Sequence, residues 1–344
     1  MRVKINASMI QMGLRWLTSG LRDFNVILAE QRLTQSDMVW LSSLSTNQRQ
    51  LNAVDALPVS LYRVHYNTLK VGRGYLDDEE FREIGNKMVM FMEFCHFSRV
   101  NNTSPILAVG LDDVGYRVFE AGSFDSRMML VSRGGFSVGT RCNLRKLRMN
   151  LSSPDDQLRD VTTVLLGDLR YFLKPGVSGI GRIKDYPSTM PLDVVATELL
   201  QQKLQPKLVA QWTGLNADEV VRMKRSLLRD TPLVQSQSGR IQAPNKTLAE
   251  SPLHSLLYLT VYRLLADNPL RRTNARAVVA AHREYVELCR AVGIEASDMI
   301  SPSNGYQLSN AMKTGDITLT PCSKCKEINA RYALKPGRCI WCNH

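Results

Sequence analysis

Apolar residues recur three and four positions apart through most of this chain, the spacing that lines one face of a helix. Met9 to Trp16 and Phe24 to Leu33 follow that spacing, and Ser36-Asp37 supplies a cap for the next helix. Pro58 stands just inside an expected helix over 58–68. Asp77 to Glu80 open a long expected helix through Phe97, their carboxylates at the positive end of its dipole. Between 101 and 150 the pattern changes. Ile106 to Leu111, Gly115 to Glu120 and Arg127 to Ser132 are short, β-favouring and punctuated by Gly and Asp, which predicts a small strand-containing insert. Gly134, Gly135 and Gly139 are too loosely spaced for a phosphate loop and read as turns.

Helical periodicity resumes over 155–174, from a cap near Ser153 to Asp155. Lys174 to Lys184, continuing to Pro187, is rich in Pro, Gly and Ser and reads as a linker. Residues 191–300 return to helix, and no internal repeat of fixed period occurs. The expected fold is therefore mainly α. It comprises a helical region over 1–100, a strand-containing insert and linker over 101–190, a helical domain over 191–320 and a cysteine-rich module over 321–344.

Within the third of these, residues 205–229 fit a helix-turn-helix. Ala210 is small where two helices approach, and Gly214, four residues on, permits a left-handed turn. Asn216 can cap the second helix, while Leu215, Val220 and Met223 supply packing positions. Arg222, Lys224, Arg225 and Arg229 are then expected on its exposed face, with Lys207 on the first helix, as candidate DNA contacts. Arg222 and Arg225, one turn apart, are the candidates for reading bases. An αα-hairpin with a solvated basic face fits the same spacing. Arg141, Arg145, Lys146 and Arg148 form a further basic cluster, read as a DNA-contacting or dimer-bridging surface or as a solvated face.

The sharpest chemical signal closes the chain as Cys322-x2-Cys325-x13-Cys339-x2-Cys342. Two such pairs present four thiolates to one tetrahedral Zn²⁺, the arrangement of a zinc ribbon. Pro321 before the first pair and Lys335 to Gly337 before the second supply turns, and Lys324, Lys326 and Arg338 favour the thiolate form. A pair of disulfides, or four unrelated cysteines, is the alternative. One structural Zn²⁺ per chain is expected, since four sulfur ligands leave no open position for substrate or activated water. The remaining Cys95, Cys142 and Cys289 are scattered and read as buried apolar residues.

Charge and composition narrow the class. A chain of 344 residues can build two domains, and 44% apolar residues place it among globular proteins. The formal net charge is +12, which favours polyanionic partners, nucleic acid first. Residues 191–344 hold 20 Lys and Arg against 13 Asp and Glu, so the excess is densest where the helix-turn-helix lies. No stretch approaches the ~18 apolar residues of a membrane span, and no apolar run follows Met1 to Asn6 as in an export signal. The expected location is cytoplasmic, without a membrane partner. An enzyme is not expected. His65, His96, His254, His282 and His344 are dispersed, and Pro321 to Cys325 matches half of a deaminase signature without the H-x-E that should precede it.

The order of features over 191–344 resembles FlhC, a subunit of the bacterial flagellar master transcriptional activator. Thr213-Gly214-Leu215 leads into the basic stretch Arg222 to Leu228, then the helical block Leu256 to Leu265. Ala277 to Cys289, with Tyr285, Glu287 and Cys289, is similar to a helix of that family, and Gly315 to Cys322 introduces the cysteines. Asp23 to Leu33 is similar to the opening helix of FlhD, the partner subunit. Leu51 to Arg73, with Ala56-Leu57-Pro58 and Thr68-Leu69-Lys70, keeps a related rhythm. The loop between the two cysteine pairs is shorter than in the family, and 101–190 has no counterpart there.

The resemblance implies a bacterial sequence-specific DNA-binding activator that binds double-stranded DNA and recruits RNA polymerase. It implies zinc ligands at Cys322, Cys325, Cys339 and Cys342, and assembly as at least a homodimer or with an FlhD-type partner. The competing expectation is a zinc-stabilised protein–protein adaptor without specific DNA binding.

Overall fold

A computed structural model of the chain describes residues 6–7, 10–11, 14, 34–66, 104, 107–108, 110, 136–172, 191–202, 204–230, 242–266, 269–270, 274–334 and 337–343. Of the helix expected over Met9 to Trp16, residues 10, 11 and 14 are described and helical. The helices expected over 24–33 and 77–97, the strands expected over 115–120 and 127–132, and the linker over 174–187 lie outside the described residues. Among the described residues the fold is mainly helical, with two small two-stranded sheets. The chain divides into two compact units: Met1–Gly181 with Leu288–Ile294, and Arg182–Glu287 with Glu295–His344.

In the first unit, helix α1 (Gln35–Thr46) starts one residue ahead of the cap expected at Ser36-Asp37. Thr34 is its N-cap, and Asp37 closes a reciprocal pair. The Asp37 N–H donates to Thr34 Oγ1 at 3.2 Å and the Thr34 N–H to Asp37 Oδ2 at 2.7 Å. Asn47 then caps α2 (Gln48–Asp55) by accepting from the Gln50 N–H. The helix expected over 58–68 does not form. Strand β1 (Tyr62–Tyr66) occupies that stretch and pairs antiparallel with β2 (Phe136–Thr140), from Tyr62 opposite Thr140 to Tyr66 opposite Phe136.

The reason is where the backbone hydrogen bonds go. The Ser60 N–H donates to the Ala108 carbonyl at 2.7 Å and the Leu61 N–H to Asn6 Oδ1 at 2.8 Å, so neither can close a helical turn. The buried Asn6 also donates from Nδ2 to the Val54 and Val59 carbonyls, holding the bend between α2 and β1. Leu107 and Ala108, in a stretch expected to be a strand, are helical.

Helix α3 (Pro154–Phe172) closely matches the expectation over 155–174, with Asp155 and Asp156 in its first turn and Arg170 in its last. Leu158, Val161, Leu165 and Leu169 are buried at spacings of three and four. Asp168 on the same helix is buried between two guanidinium groups. Arg63 of β1 donates from Nε and Nη2 to Oδ1, and Arg141, just past β2, from Nε and Nη2 to Oδ2. Arg141 also donates to the carbonyls of Ser60, Leu107 and Ala108, so its whole head is used inside the protein. This corrects the expectation of a basic surface that includes Arg141. A charge in the interior needs such pairing. Arg145 in turn pairs with Asp37 at 3.0 Å.

The second unit contains α4 (Leu192–Gln201), α5 (Pro206–Thr213), α6 (Ala217–Asp230), α7 (Pro244–Glu250), α8 (Pro252–Leu265), α9 (Ala275–Ala291, whose end from Leu288 groups with the first unit) and α10 (Pro302–Thr314), followed by β3 (Ile317–Pro321) and β4 (Ile328–Tyr332). Proline opens α5, α7, α8 and α10, where its missing N–H costs nothing. Helix α8 is buried nearly all round, as its apolar sequence requires. Gly305 of α10 lets it approach: a Cβ there would lie 2.9 Å from the Tyr258 ring, whose hydroxyl meets Ser309 Oγ at 2.9 Å. The β3–β4 hairpin packs on α8 and α10, with Ile317, Ile328 and Ala330 buried.

Candidate nucleic-acid interface and metal centre

The helix-turn-helix forms with the expected turn chemistry. Gly214 ends α5 in the left-handed region at φ 74°, its N–H donating to the Ala210 carbonyl at 2.9 Å. Asn216 accepts from the Asp218 N–H at 2.8 Å and starts α6. Two features go beyond what the sequence pattern predicts. First, α4 joins α5 and α6 in a three-helix cluster. Val195, Ala196, Leu199, Leu200 and Leu204 meet Val209 and Val220 in one core, closed by Ala275 and Val279 of α9, and Leu215, Met223 and Leu227 pack against it. The apolar spacing of 195, 196, 199 and 200 carried that signal. Second, Arg283 of α9 donates to Glu198 of α4 at 2.6 Å, and Trp212 of α5 stacks on Tyr306 of α10.

Val220, Met223 and Leu227 commit one face of α6 to this core. Arg222, Arg225 and Arg229 fall on a different face at spacings of three and four, all exposed, and Lys207 is exposed on α5. Lys224 departs from the expectation. Two residues from Arg222 means roughly 200° around a helix, so it flanks the buried face and is half-buried instead of sharing the arginine stripe. The first turn of α6 adds exposed Asp218 and Glu219.

The four cysteines converge as predicted. Their sulfurs all lie within 4.8 Å of one another, with Cys322 to Cys342 at 3.8 Å and Cys325 to Cys339 at 3.6 Å. Those separations are far beyond a disulfide bond of about 2.05 Å. They match the edge of a tetrahedron, about 3.8 Å, drawn by four Zn–S bonds of ~2.3 Å. The donor set and spacing thus fit a metal ion, and four thiolates favour zinc or iron–sulfur chemistry over hard cations.

Both cysteine pairs are built alike. The residue after each pair, Lys326 at φ 62° and Asn343 at φ 56°, turns left-handed and donates its N–H to the carbonyl of the pair's first cysteine, at 3.0 and 2.8 Å. The hairpin sets the first pair by donating the Cys322 N–H to the Glu327 carbonyl at 2.7 Å. Trp341 anchors the second by donating from Nε1 to the Ile328 carbonyl at 2.8 Å. The thiolate is favoured by a different agent from the cations expected. The N–H groups of Cys325 and Lys324 donate to Cys322 and lower its pKa to about 6, whereas burial pushes Cys339 up to about 11.

His254 and His282 both lie beside Tyr285. His282 is buried and neutral, its Nε2–H donating to the Ile300 carbonyl at 3.1 Å, and burial lowers its pKa to about 4. Tyr285 Oη accepts from the Ile300 N–H at 3.0 Å and meets His254 Nδ1 at 2.8 Å. Among the described residues, no helix is long and apolar enough to cross a membrane. Compared with known proteins, the chain matches no family model and no curated protein.

Proposed function

We propose that this protein is a bacterial sequence-specific DNA-binding activator of transcription. In this reading it acts in the cytoplasm, resembles FlhC with an FlhD-like portion, and recruits RNA polymerase at promoters. It assembles as a homo-oligomer of at least two chains or with an FlhD-type partner. The observation that carries the reading is the exposed Arg222, Arg225 and Arg229 stripe, held opposite the three-helix core by a left-handed glycine turn. An α-helix presenting donors on one stripe fits the major groove, where arginine meets guanine O6 and N7. In this reading the exposed Lys207, at the start of α5, meets a phosphate. The net charge of +12 supports a polyanionic partner.

In the same reading Cys322, Cys325, Cys339 and Cys342 hold one Zn²⁺ per chain. The ion supplies a structural cross-link, and four sulfur ligands leave no position open for chemistry. Cys322 is already biased towards thiolate by its turn amides. Freshly purified protein should carry close to one zinc, and Cys339→Ser should lose it and loosen the hairpin, since binding and folding of such modules are coupled.

The test of DNA binding is a titration on duplexes at several salt concentrations. Replacing Arg222, Arg225 and Arg229 together by Ala should abolish sequence preference. A single base-reading arginine should cost about 1–3 kcal/mol on the preferred site, whereas a phosphate contact such as Lys207 should weaken all sequences alike and lower the salt slope by about one. Unchanged site binding by the triple variant would overturn the reading. Wild-type protein that shows no preference among duplexes would favour the zinc-stabilised adaptor.

A further inference from the structure

Asp218 lies on the same stripe of α6 as the three arginines. Positions 218, 222, 225 and 229 are spaced four, three and four, so a helix stacks them one above another. All four are exposed, and among the described residues none of these side chains has an ion-pair or hydrogen-bond partner. Asp218 and Arg222 have the spacing of a helical ion pair yet stay apart, while Arg283 with Glu198 and Lys246 with Glu250 do pair in the same unit.

A carboxylate on a DNA-facing stripe repels phosphates and weakens binding to every duplex alike. Only a specific donor can offset that. An ionised carboxylate accepts and never donates. In the major groove guanine offers acceptors at N7 and O6, thymine one at O4, and adenine sets an acceptor N7 beside its amino group. Cytosine N4 offers a donor alone. Asp218 also stands in the first turn of the second helix, the part that reaches base edges in this motif. One turn further, about 6 Å along the axis, Arg222 falls within two base-pair steps of ~3.4 Å.

Resting on the DNA-binding reading above, we infer that Asp218 sets base specificity by accepting from a cytosine N4 amino group while Arg222 reads a guanine within two base pairs. The occupant of the stripe is a major-groove segment carrying both bases.

The experiment is selection from a random duplex library with the full-length, zinc-loaded chain, followed by titration of the selected site and a scrambled duplex. Wild-type protein should fix a cytosine and a guanine within two base pairs. Asp218→Ala should lose the cytosine, bind the selected site roughly tenfold more weakly and bind the scrambled duplex as well as before or better. Asp218→Asn keeps an acceptor at the helix start and adds a donor, so it should redirect the position to adenine. This separates a lost contact from a lost fold. Glu219→Ala makes the same charge change off the stripe, and should strengthen both duplexes alike with the motif intact. The inference is overturned if Asp218→Ala selects the wild-type motif, or tightens both duplexes equally as a mere phosphate repellent would. Wild-type binding without any base preference overturns the DNA-reading function itself, and this assignment with it.

Discussion

His282 shows how burial, more than residue type, sets chemistry at the scale of one side chain. Its ring is held at a pKa of about 4 by loss of solvent, against an unfolded value of 6.5, while the Ile300 carbonyl that accepts from Nε2 opposes the shift only in part. The unfolded chain therefore binds the extra proton first, and stability contributed here is complete above pH 6.5 and lost as pH falls towards 4. That lowering corresponds to about 3 kcal/mol. His282→Gln keeps a donor for the carbonyl and removes the titration. Unfolding measured in urea from pH 7.5 to 4 should show the gap between wild type and variant narrowing by an amount of that order; a gap independent of pH would mean that the ring is solvated. The neutral state of His282 follows from the packing of α8 and α9 around it, which its place along the sequence does not show.

Glycines separate two ways in which an element can depend on one residue. Gly167 is helical, and its place in α3 is fixed by space: a Cβ would lie 1.8 Å from the Arg141 carbonyl oxygen, a backbone atom that cannot move aside. Gly214 is fixed by conformation, with φ 74°, and a Cβ there would meet nothing within 4 Å. Gly167→Ala should thus cost about 3 kcal/mol or more and weaken the Asp168 contacts to both arginines. Gly214→Ala should cost about 1 kcal/mol from the left-handed backbone alone. Chemical denaturation of the two variants checks the order, and equal costs would mean that α3 does not approach residue 141 as closely as described. Gly214 was legible because a turn between two amphipathic helices announces itself locally. Gly167 was not, because the atom it must avoid belongs to Arg141, far back along the chain.

Across the whole molecule the two units carry opposite responses to acid. Asp160 of α3 accepts from the Arg148 and Met149 N–H groups at 2.6 and 2.8 Å, yet burial outweighs them and raises its pKa from 3.8 to about 6. A raised carboxyl pKa stabilises the fold below the unfolded value and loses that contribution as pH rises through the folded one. Between pH 7 and 4.5 acidification should therefore strengthen the packing around α3 while protonation of His282 weakens the second unit. Hydrogen exchange, corrected for intrinsic rates, should show protection over 275–287 and 300–332 falling relative to 154–170 as pH drops. A uniform loss would show that neither buried group governs its unit.

The sequence by itself determined whatever is written in near neighbours. The four-cysteine centre follows from two spacings of three, because a tight turn brings residues i and i+3 together wherever it occurs. Likewise α3, α5, α6 and α8 follow from periodicity, capping residues and proline at the first turn, all forces acting within about four residues. Tertiary structure decided what depends on distant partners. Residues 58–66 form a bend and strand because Asn6 and Ala108 take their backbone groups, and Arg141 is buried because Asp168 needs a second cation. Lys224 is half-buried because α4 and α5 cover the adjoining face of α6, the one that carries Val220, Met223 and Leu227. A local pattern shows which faces of a helix differ. Only the packed core shows which of them is left exposed.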